Sequence, residues 1–216
     1  MSRDRGSALS TTSYAILGLL SVRSWSTYEL AQQMDRSLGR IWPRAKSKIY
    51  EEPKKLVRHG LARAERQLVG RRPRTVYAIT PEGRQRLAAW LHEPGDGPQL
   101  ECEQLLQVFF AEAGTRADTL ATLHAAHTWA VERNQGNLAA AREYRAGQGP
   151  FPERAAQLLL VSRFLTDYYR LVSEWADWAA HIVADWPDDP SVAVVDADQF
   201  AETVRRAEWG RVERFL

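Results

Sequence analysis

Positively charged side chains are concentrated in one short stretch of this 216-residue chain. The segment from Arg36 to Arg74 contains 13 Lys and Arg against 3 Asp and Glu, a net charge of +10. The segment from Thr75 to Leu216 carries 13 against 21, a net charge of −8, so the overall charge of +2 conceals the contrast. A basic module beside an acidic body is the electrostatic pattern of a protein that binds phosphates. The stretch therefore predicts contact with nucleic acid.

Motifs that would indicate catalysis or metal binding are missing from the sequence. It contains no phosphate-binding glycine loop, no nucleophile elbow and no paired-histidine zinc motif. Cys102 is the single cysteine, which excludes an internal disulfide framework, and we interpret it as a small core residue. His124 and His127 lie one helical turn apart without a suitably spaced third ligand. We expect no catalytic residue, no metal and no cofactor.

The basic stretch contains a predicted helix from about Pro43 to His59. On a helical wheel of about 100° per residue, one narrow arc is apolar and the opposite arc is polar and mostly basic. This bias favours a DNA-reading face, although a merely solvated basic surface is the alternative. The predicted buried arc comprises Ile49, Tyr50, Pro53, Leu56 and Val57. The predicted DNA-binding arc comprises Arg44, Ser47, Lys48, Glu51, Lys54, Lys55 and Arg58.

A β-hairpin is predicted after this helix, and it resembles the wing of a DNA-binding domain. Two strand-like segments, Leu61 to Val69 and Arg74 to Thr80, flank a short turn. Around the turn, Arg71, Arg72 and Arg74 suit phosphate or minor-groove contact, because a guanidinium group pairs with phosphate and is attracted to a narrow groove. A charged turn that only confers solubility is the alternative.

Helices are predicted on both sides of these elements. One runs from about Thr12 to Val22 with Thr11 or Thr12 as its N-cap, and another follows a capping box at Ser26 and ends near Gly39. A further helix begins at Pro81. Together they predict a winged helix-turn-helix domain over residues 11–93, after a disordered arm at 1–10 and before a linker at 94–99.

The remaining residues, 100–216, are predicted to form a helical domain. A heptad pattern of apolar residues runs from Arg154 to Trp186, and Phe164, Leu171 and Trp178 widen it beyond a two-helix seam. We expect this helix to pack on its own domain and on a second copy, which makes the protein a homodimer. The expected dimer contacts are Leu158, Val161, Leu165, Tyr168, Val172, Trp175, Ala179 and Ile182.

Two other helices are predicted in the same domain. One spans about Arg116 to Arg145 and the other about Asp198 to Phe215, the second folding back on the body. The stripe predicted for the first comprises Leu120, Leu123, His127, Val131, Asn134, Leu138 and Ala141.

Large aromatic residues in this domain raise the question of a small-molecule site. Trp129, Tyr168, Trp175 and Trp178 supply enough aromatic surface to bind a planar effector. Aromatic residues at helical spacing are more often part of a core, so both interpretations stay open.

Taken as a set, several short motifs resemble those of the PadR family of bacterial transcriptional regulators. The resemblance spans about Thr12 to Leu91. It implies a winged-helix repressor that dimerises through C-terminal helices and, in some members, leaves DNA when a small molecule binds. Pro53 departs from the family pattern and predicts a kink in the third helix. The motifs are Ser13 to Leu20, Thr27 to Leu30, Ile49-Tyr50 with Leu56, Gly60-Leu61, and Arg74 to Gly83.

The leading hypothesis is a mostly α-helical, dimeric and cytoplasmic repressor that binds a pseudo-palindromic operator. Arg44, Ser47 and Lys48 are the expected base readers, and Glu51 the acceptor for a cytosine amino group. The expected phosphate contacts are Lys54, Lys55, Arg58, Arg71, Arg72 and Arg74. No apolar run long enough to span a membrane is present. The alternatives are a nonspecific architectural DNA-binding protein and an enzyme.

Overall fold

The computed structural model of the chain describes residues 9–43, 48–69, 72–195 and 197–208, with the backbone alone at 68–69 and 72–73. It divides into two compact units, Met1–Pro98 and Gln99–Leu216. The described residues are mostly helical and include a three-stranded antiparallel sheet. The predicted fold class, mostly α with a small β-wing, is confirmed.

The N-terminal unit begins with α1, Thr11–Val22, whose N-cap is Ser10 and not Thr11 or Thr12 as predicted. Ser10 and Ser13 cap the helix reciprocally, which satisfies backbone N–H groups that have no partner within the helix. The apolar side chains of α1 form the centre of the unit. Those almost fully buried are Ile16, Leu17 and Leu20, together with Leu30, Met34 and Leu56 from other elements.

A short strand and a second helix follow. Strand β1 is Trp25–Ser26, and α2 is Thr27–Gln33, continued by a π-helical turn at Met34–Leu38 that Gly39 ends. The predicted capping box is confirmed, because the Ser26 side chain accepts from the Glu29 N–H and the Glu29 side chain accepts from the Ser26 N–H.

The third helix is shorter than predicted. Helix α3 is Glu52–Arg58, and residues 48–51 form turns before it. Pro53 lies in the first turn of α3, where its missing N–H costs no hydrogen bond and its fixed φ suits a helix start. A continuous helix from Pro43 to His59 with a kink at Pro53 was therefore wrong. Gly60, with φ of 70°, follows α3 as the predicted C′ residue.

The hairpin consists of β2, Ala62–Val69, and β3, Arg72–Ile79, in antiparallel register from Ala62 opposite Ile79 to Val69 opposite Arg72. Strand β3 begins two residues earlier than predicted, and residues 70–71 lie outside the described residues. Strand β1 pairs with the other side of β3, so the sheet order is β1-β3-β2. A two-residue strand is too short to show a sequence period, which is why the prediction missed β1.

Helix α4, Pro81–Leu91, closes the N-terminal unit. As predicted, Thr80 is its N-cap, and the Thr80 hydroxyl accepts from the Gly83 N–H at 3.0 Å. Near the other end, the Trp90 ring stacks on Tyr14 of α1 with centroids 4.8 Å apart. The N-cap bond stabilises the first turn of α4, and the stacked rings attach its last turn to α1.

The C-terminal unit contains α5, Glu103–Phe109; α6, Arg116–Arg145; α7, Ala155–Ala184; and α8, Ala197–Ala207. Helices α6 and α7 form a long antiparallel hairpin. The structure confirms the bounds predicted for the first of these two helices. Phe200 and Val204 of α8 are exposed, so the structure does not show the predicted packing of their side chains on the body.

The seam between α6 and α7 uses smaller residues than predicted. Of the stripe predicted for α6, only Leu123 is buried, while Val131 and Leu138 are exposed. Alanine allows two helix backbones to approach closely, and a search for large apolar residues overlooks it. The buried residues of α6 are Thr119, Leu123, Ala126, Ala130 and Asn137. Those of α7 are Leu165, Tyr169, Ala176, Ala179 and Val183.

Among the helices that the structure describes, none combines the length and the apolar character that a membrane span requires.

Candidate nucleic-acid interface

Helix α3 separates an apolar side from a charged side. Ile49, Pro53 and Leu56 are buried, as predicted. Lys54 and Lys55 lie three and four residues after the N-cap residue Glu51, and Arg58 lies four and three residues after them, so these side chains share one face. Lys48 continues this face at the turn before α3 and is exposed. Lys54 and Arg58 are exposed and Lys55 is half-buried, so a basic surface faces away from the core.

Tyr50 was predicted to be buried, and this was wrong. Its side chain is 57% exposed, because residues 48–51 form turns and the helical wheel does not apply to them. Tyr28 at the start of α2 is exposed as well, and its hydroxyl accepts a hydrogen bond from the Gln32 side chain at 2.9 Å. The N-terminal unit therefore exposes two aromatic side chains with polar tips, which the sequence interpretation did not assign to DNA binding.

Glu51, the N-cap residue of α3, pairs with a side chain of that helix. Its carboxylate lies 3.0 Å from Lys54 Nζ, and both side chains are exposed. An exposed pair of this kind is weak and exchanges readily with water or another partner. The pair brings together one predicted base contact and one predicted phosphate contact.

Some of the predicted contacts lie outside the described residues. These are Arg44 and Ser47 before α3 and Arg71 in the hairpin turn, together with the side chain of Arg72.

Arg74 on β3 and Glu29 on α2 connect the wing to the second helix. Arg74 Nη1 lies 3.9 Å from Glu29 Oε1, and the other Glu29 oxygen accepts from the Ser26 N–H at 2.7 Å. Hydrogen bonds from Ser26, through its side chain and then its backbone, lower the pKa of Glu29, and the charges of Arg74 and Arg23 lower it further. The ion pair does not bury Arg74, which remains accessible to a phosphate.

In the C-terminal unit, some of the aromatic residues predicted to bind an effector lie together. The Trp129 ring meets Tyr168 and Tyr169 edge to face, at centroid distances of 6.2 Å and 5.7 Å. The guanidinium carbon of Arg133 lies 5.9 Å from the centroid of the Trp129 ring. Burial raises the pKa of Tyr168, and nearby Cys102 contributes in the same direction. Tyr169 and Arg133 were not assigned to this cluster from the sequence.

Trp175 and Trp178 occupy different surroundings. Trp175 packs against the core cluster of Leu123, Ala179 and Val183, whereas Trp178 is exposed. Trp178 belongs to the outer stripe of α7, an apolar row with alternating spacings of three and four residues. Its exposed or half-buried members are Val161, Phe164, Tyr168, Leu171, Trp175, Trp178 and Ile182. By contrast, Leu165 and Ala179 of the predicted dimer contacts are already buried against α6 within the same chain.

Comparisons with known proteins bear on the N-terminal unit first. Residues 16–89 match the family model described as "Transcriptional regulator PadR-like family". The "Probable transcriptional regulator Rv1176c" of Mycobacterium tuberculosis is 39% identical over 82 residues, 38% of this chain and 43% of that protein. The "Negative transcriptional regulator PadR" of Bacillus subtilis is 36% identical over 84 residues, 38% of this chain and 46% of that protein. The matched segment thus spans less than half the length of either relative.

Solved structures resemble more of the chain. Bacillus subtilis PadR in complex with operator DNA superposes with a TM-score of 0.70 at 22% identity, covering 81% of this chain and 99% of that one. The same protein in complex with p-coumaric acid superposes with a TM-score of 0.62 at 21% identity, covering 82% and 99%. At these identities the likeness establishes the fold. The resemblance inferred from short motifs is confirmed over the N-terminal unit: residues 16–89 of this chain form a domain of the PadR-like family of transcriptional regulators.

Proposed function

We propose that this protein is a dimeric, sequence-specific DNA-binding regulator that represses transcription. The observation that carries the proposal is the division of α3 and the turn before it into a buried apolar side and an exposed basic side. A helix of this kind, followed by a wing, inserts its polar side into the major groove. The B. subtilis relative, whose name describes a negative regulator, supports repression as the outcome.

The roles of the individual side chains follow from their exposure. Lys48 and Tyr50, at the start of the exposed face, are the proposed base contacts among the described residues, and Arg44 and Ser47 from the sequence interpretation would join them. Glu51 would have to leave Lys54 before it accepted a cytosine amino group. The proposed phosphate contacts are Lys54, Lys55, Arg58, Arg71, Arg72 and Arg74.

Two copies of the chain would present two such surfaces to a pseudo-palindromic site. The outer stripe of α7 supports this part of the proposal, because large side chains such as Phe164 and Leu171 are exposed along it. A contiguous exposed apolar row on a helix marks a surface that another protein covers. The heptad spacing of the row fits a helix from a second copy.

Regulation by a small aromatic molecule is the remaining part of the proposal. The complex of B. subtilis PadR with p-coumaric acid supports an aromatic ligand class. In this chain, Trp129 and Tyr168 offer aromatic faces, and Arg133 offers a cation that suits a carboxylate. Trp175 and Trp178 are less suited to bind the ligand, because Trp175 packs on the core and Trp178 is exposed.

Selection of duplexes from a random-sequence pool by the wild-type protein tests the proposed DNA binding. We expect a two-fold symmetric consensus that the protein prefers over a scrambled duplex by about a thousandfold or more at near-physiological salt. Equal affinity for both duplexes would indicate a nonspecific architectural DNA-binding protein. Absence of binding would exclude this function and sequence-specific regulation alike. Titrating p-coumaric acid into the complex, with tryptophan fluorescence as a second readout, then tests release by an aromatic acid.

A further inference from the structure

Two consecutive residues of α1 bond to the two ends of the segment that carries the proposed base contacts. Glu52, the first residue of α3, is only 7% exposed, and its Oε2 accepts a hydrogen bond from the Ser13 hydroxyl at 2.5 Å. On the other side of the segment, the indole N–H of Trp42 donates to the Thr12 hydroxyl at 3.0 Å. Lys48 and Tyr50 thus come directly before one anchor, at Glu52, and the other anchor is Trp42, earlier in the chain.

The Glu52 anchor is a strong interaction for a physical reason. A buried carboxylate is costly unless hydrogen bonds replace its water, and bonds to a charged acceptor are shorter and stronger than neutral ones. In the part of the chain that the structure describes, the Glu52 carboxylate is bonded by serine hydroxyls, Ser13 at 2.5 Å and Ser10 at 3.5 Å. Ser13 also accepts from the Ser10 N–H at 3.1 Å, so one hydroxyl caps α1 and holds α3.

Helix α1 is a rigid base for both anchors. Ser13 is fully buried and Thr12 is 5% exposed, while the next turns of α1 contribute Ile16, Leu17 and Leu20 to the core. Attaching Glu52 to such a base reduces the conformations that residues 48–51, which directly precede it, can adopt. A segment that reads base edges needs this restriction, because small displacements break the hydrogen bonds that distinguish one base pair from another.

We infer that Ser13 and Glu52, together with Thr12 and Trp42, are positioning residues that hold Lys48 and Tyr50 in the position required for sequence-specific DNA binding. This inference rests on the proposed function. It predicts that loss of an anchor reduces the preference for the right sequence more than it reduces the attraction to phosphates. Phosphate attraction depends on charge and tolerates small shifts of the backbone, whereas base contacts do not.

The test compares Ser13→Ala and Trp42→Phe with the control Ser21→Ala. Ser21 lies on the same helix, but its hydroxyl donates to the backbone oxygen of Gly18 at 2.7 Å. All proteins are assayed below the onset of thermal unfolding, on a duplex selected by the wild-type protein and on its scrambled version. Trp42→Phe retains an aromatic side chain but removes the pyrrole ring with its N–H, so it provides the second variant if Ser13→Ala fails to fold.

We expect Ser13→Ala to lower the ratio of selected to scrambled affinity about tenfold and Trp42→Phe about threefold, the scale of one hydrogen bond. Affinity for the scrambled duplex should stay within about twofold of wild type, since the phosphate contacts remain. Ser21→Ala should match wild type on both duplexes. An unchanged ratio in folded variants, or an equal loss on both duplexes, would overturn the inference.

Hydrogen exchange in the free protein tests the anchors without DNA. Ser13→Ala should speed exchange of the backbone amides at 49–51 relative to Ser21→Ala, because one end of the segment is released. Equal exchange in both variants would refute the inference even if the wild-type protein selects a specific duplex. Failure of the wild-type protein to select any duplex would instead refute the proposed function, so the two failures are distinguishable.

Discussion

Arg74 of the wing strand lies 3.9 Å from Glu29, and the same Glu29 side chain closes the capping box of α2. One carboxylate therefore stabilises the start of a helix and contacts the hairpin that packs beside it. Hydrogen bonds from Ser26 lower the pKa of Glu29 from its ordinary value of 4.5. Because α2 and β3 both belong to the proposed DNA-binding domain, the protonation state of Glu29 affects the stability of that domain.

Acid should destabilise the protein partly through Glu29. A carboxyl group whose folded pKa is lowered stabilises the fold above its unfolded value, and this contribution is lost as the pH falls through the lower folded value. We expect Glu29→Gln to have a lower thermal midpoint than wild type at about pH 6. At about pH 3 the difference between the two midpoints should be smaller. Glu82→Gln, which changes an exposed carboxylate in the first turn of α4, is the control. A constant difference from wild type across this range would contradict the assignment.

Asn137 is predicted to fix the register of α6 on α7. Its side-chain N–H groups donate to the Thr166 hydroxyl at 2.7 Å and the Ser162 carbonyl at 3.1 Å, and the Ser162 hydroxyl donates back to it at 3.2 Å. Asn137→Ala should reduce the free energy of unfolding by about 1–3 kcal/mol, because it breaks these buried bonds. Asn134→Ala on the same helix should cost less than about 0.5 kcal/mol. Chemical denaturation measures both, and equal costs would contradict the observed seam.

Gly83 is required for close packing, whereas Gly18 is not. A Cβ at Gly83 would overlap the backbone oxygen of Leu61, while a Cβ at Gly18 would meet no atom within 4 Å. Gly83→Ala should therefore destabilise the fold by about 1–3 kcal/mol through overpacking. Gly18→Ala should stabilise it by about 0.5–1 kcal/mol, because alanine is the better helix former. The thermal midpoints of the two variants should shift in opposite directions. Shifts in the same direction would contradict the packing described at one of the two glycines.

The outer stripe of α7 is predicted to hold the dimer together. Phe164→Glu with Leu171→Glu places two charges on this exposed row and should convert the dimer to a monomer, since a desolvated unpaired charge is costly. Leu159→Glu, at an exposed position of α7 outside the row, is the control. Light scattering after size-exclusion chromatography measures the masses. A dimeric double variant, or a monomeric wild-type protein, would refute the assignment.

The elements with strong local signals were predictable from the sequence. The capping box at Ser26, the Pro81 helix start and the bounds of α6 each depend on residues close in the chain, and the structure contains them. The extent of α3 was not predictable in this way, because Pro53 suits either an early turn or a kink, and only tertiary contacts decide between them. The hydrogen bond from Ser13 to Glu52 joins residues 39 positions apart, so no local sequence pattern predicts it.

The same limit explains the errors in the C-terminal unit. A heptad pattern indicates that a helix has an apolar side, but it does not say which neighbour covers it. Leu165 is buried within the chain, while Phe164, the adjacent residue, is exposed. The seam of α6 depends on alanine and asparagine side chains, which carry little hydrophobic signal. Separating the inner and outer rows of α7 therefore required the structure.

The central claim is that the basic face containing Lys48 and Arg58 binds DNA. Its most direct test is the affinity of Lys48→Ala with Arg58→Ala for a duplex selected by the wild-type protein, compared with Arg84→Ala with Arg86→Ala on α4, which removes equal charge. The first variant should lose about tenfold or more in affinity and show a shallower dependence on salt, while the second stays within about threefold of wild type. Equal losses in the two variants would show that only net charge matters and would contradict the claim.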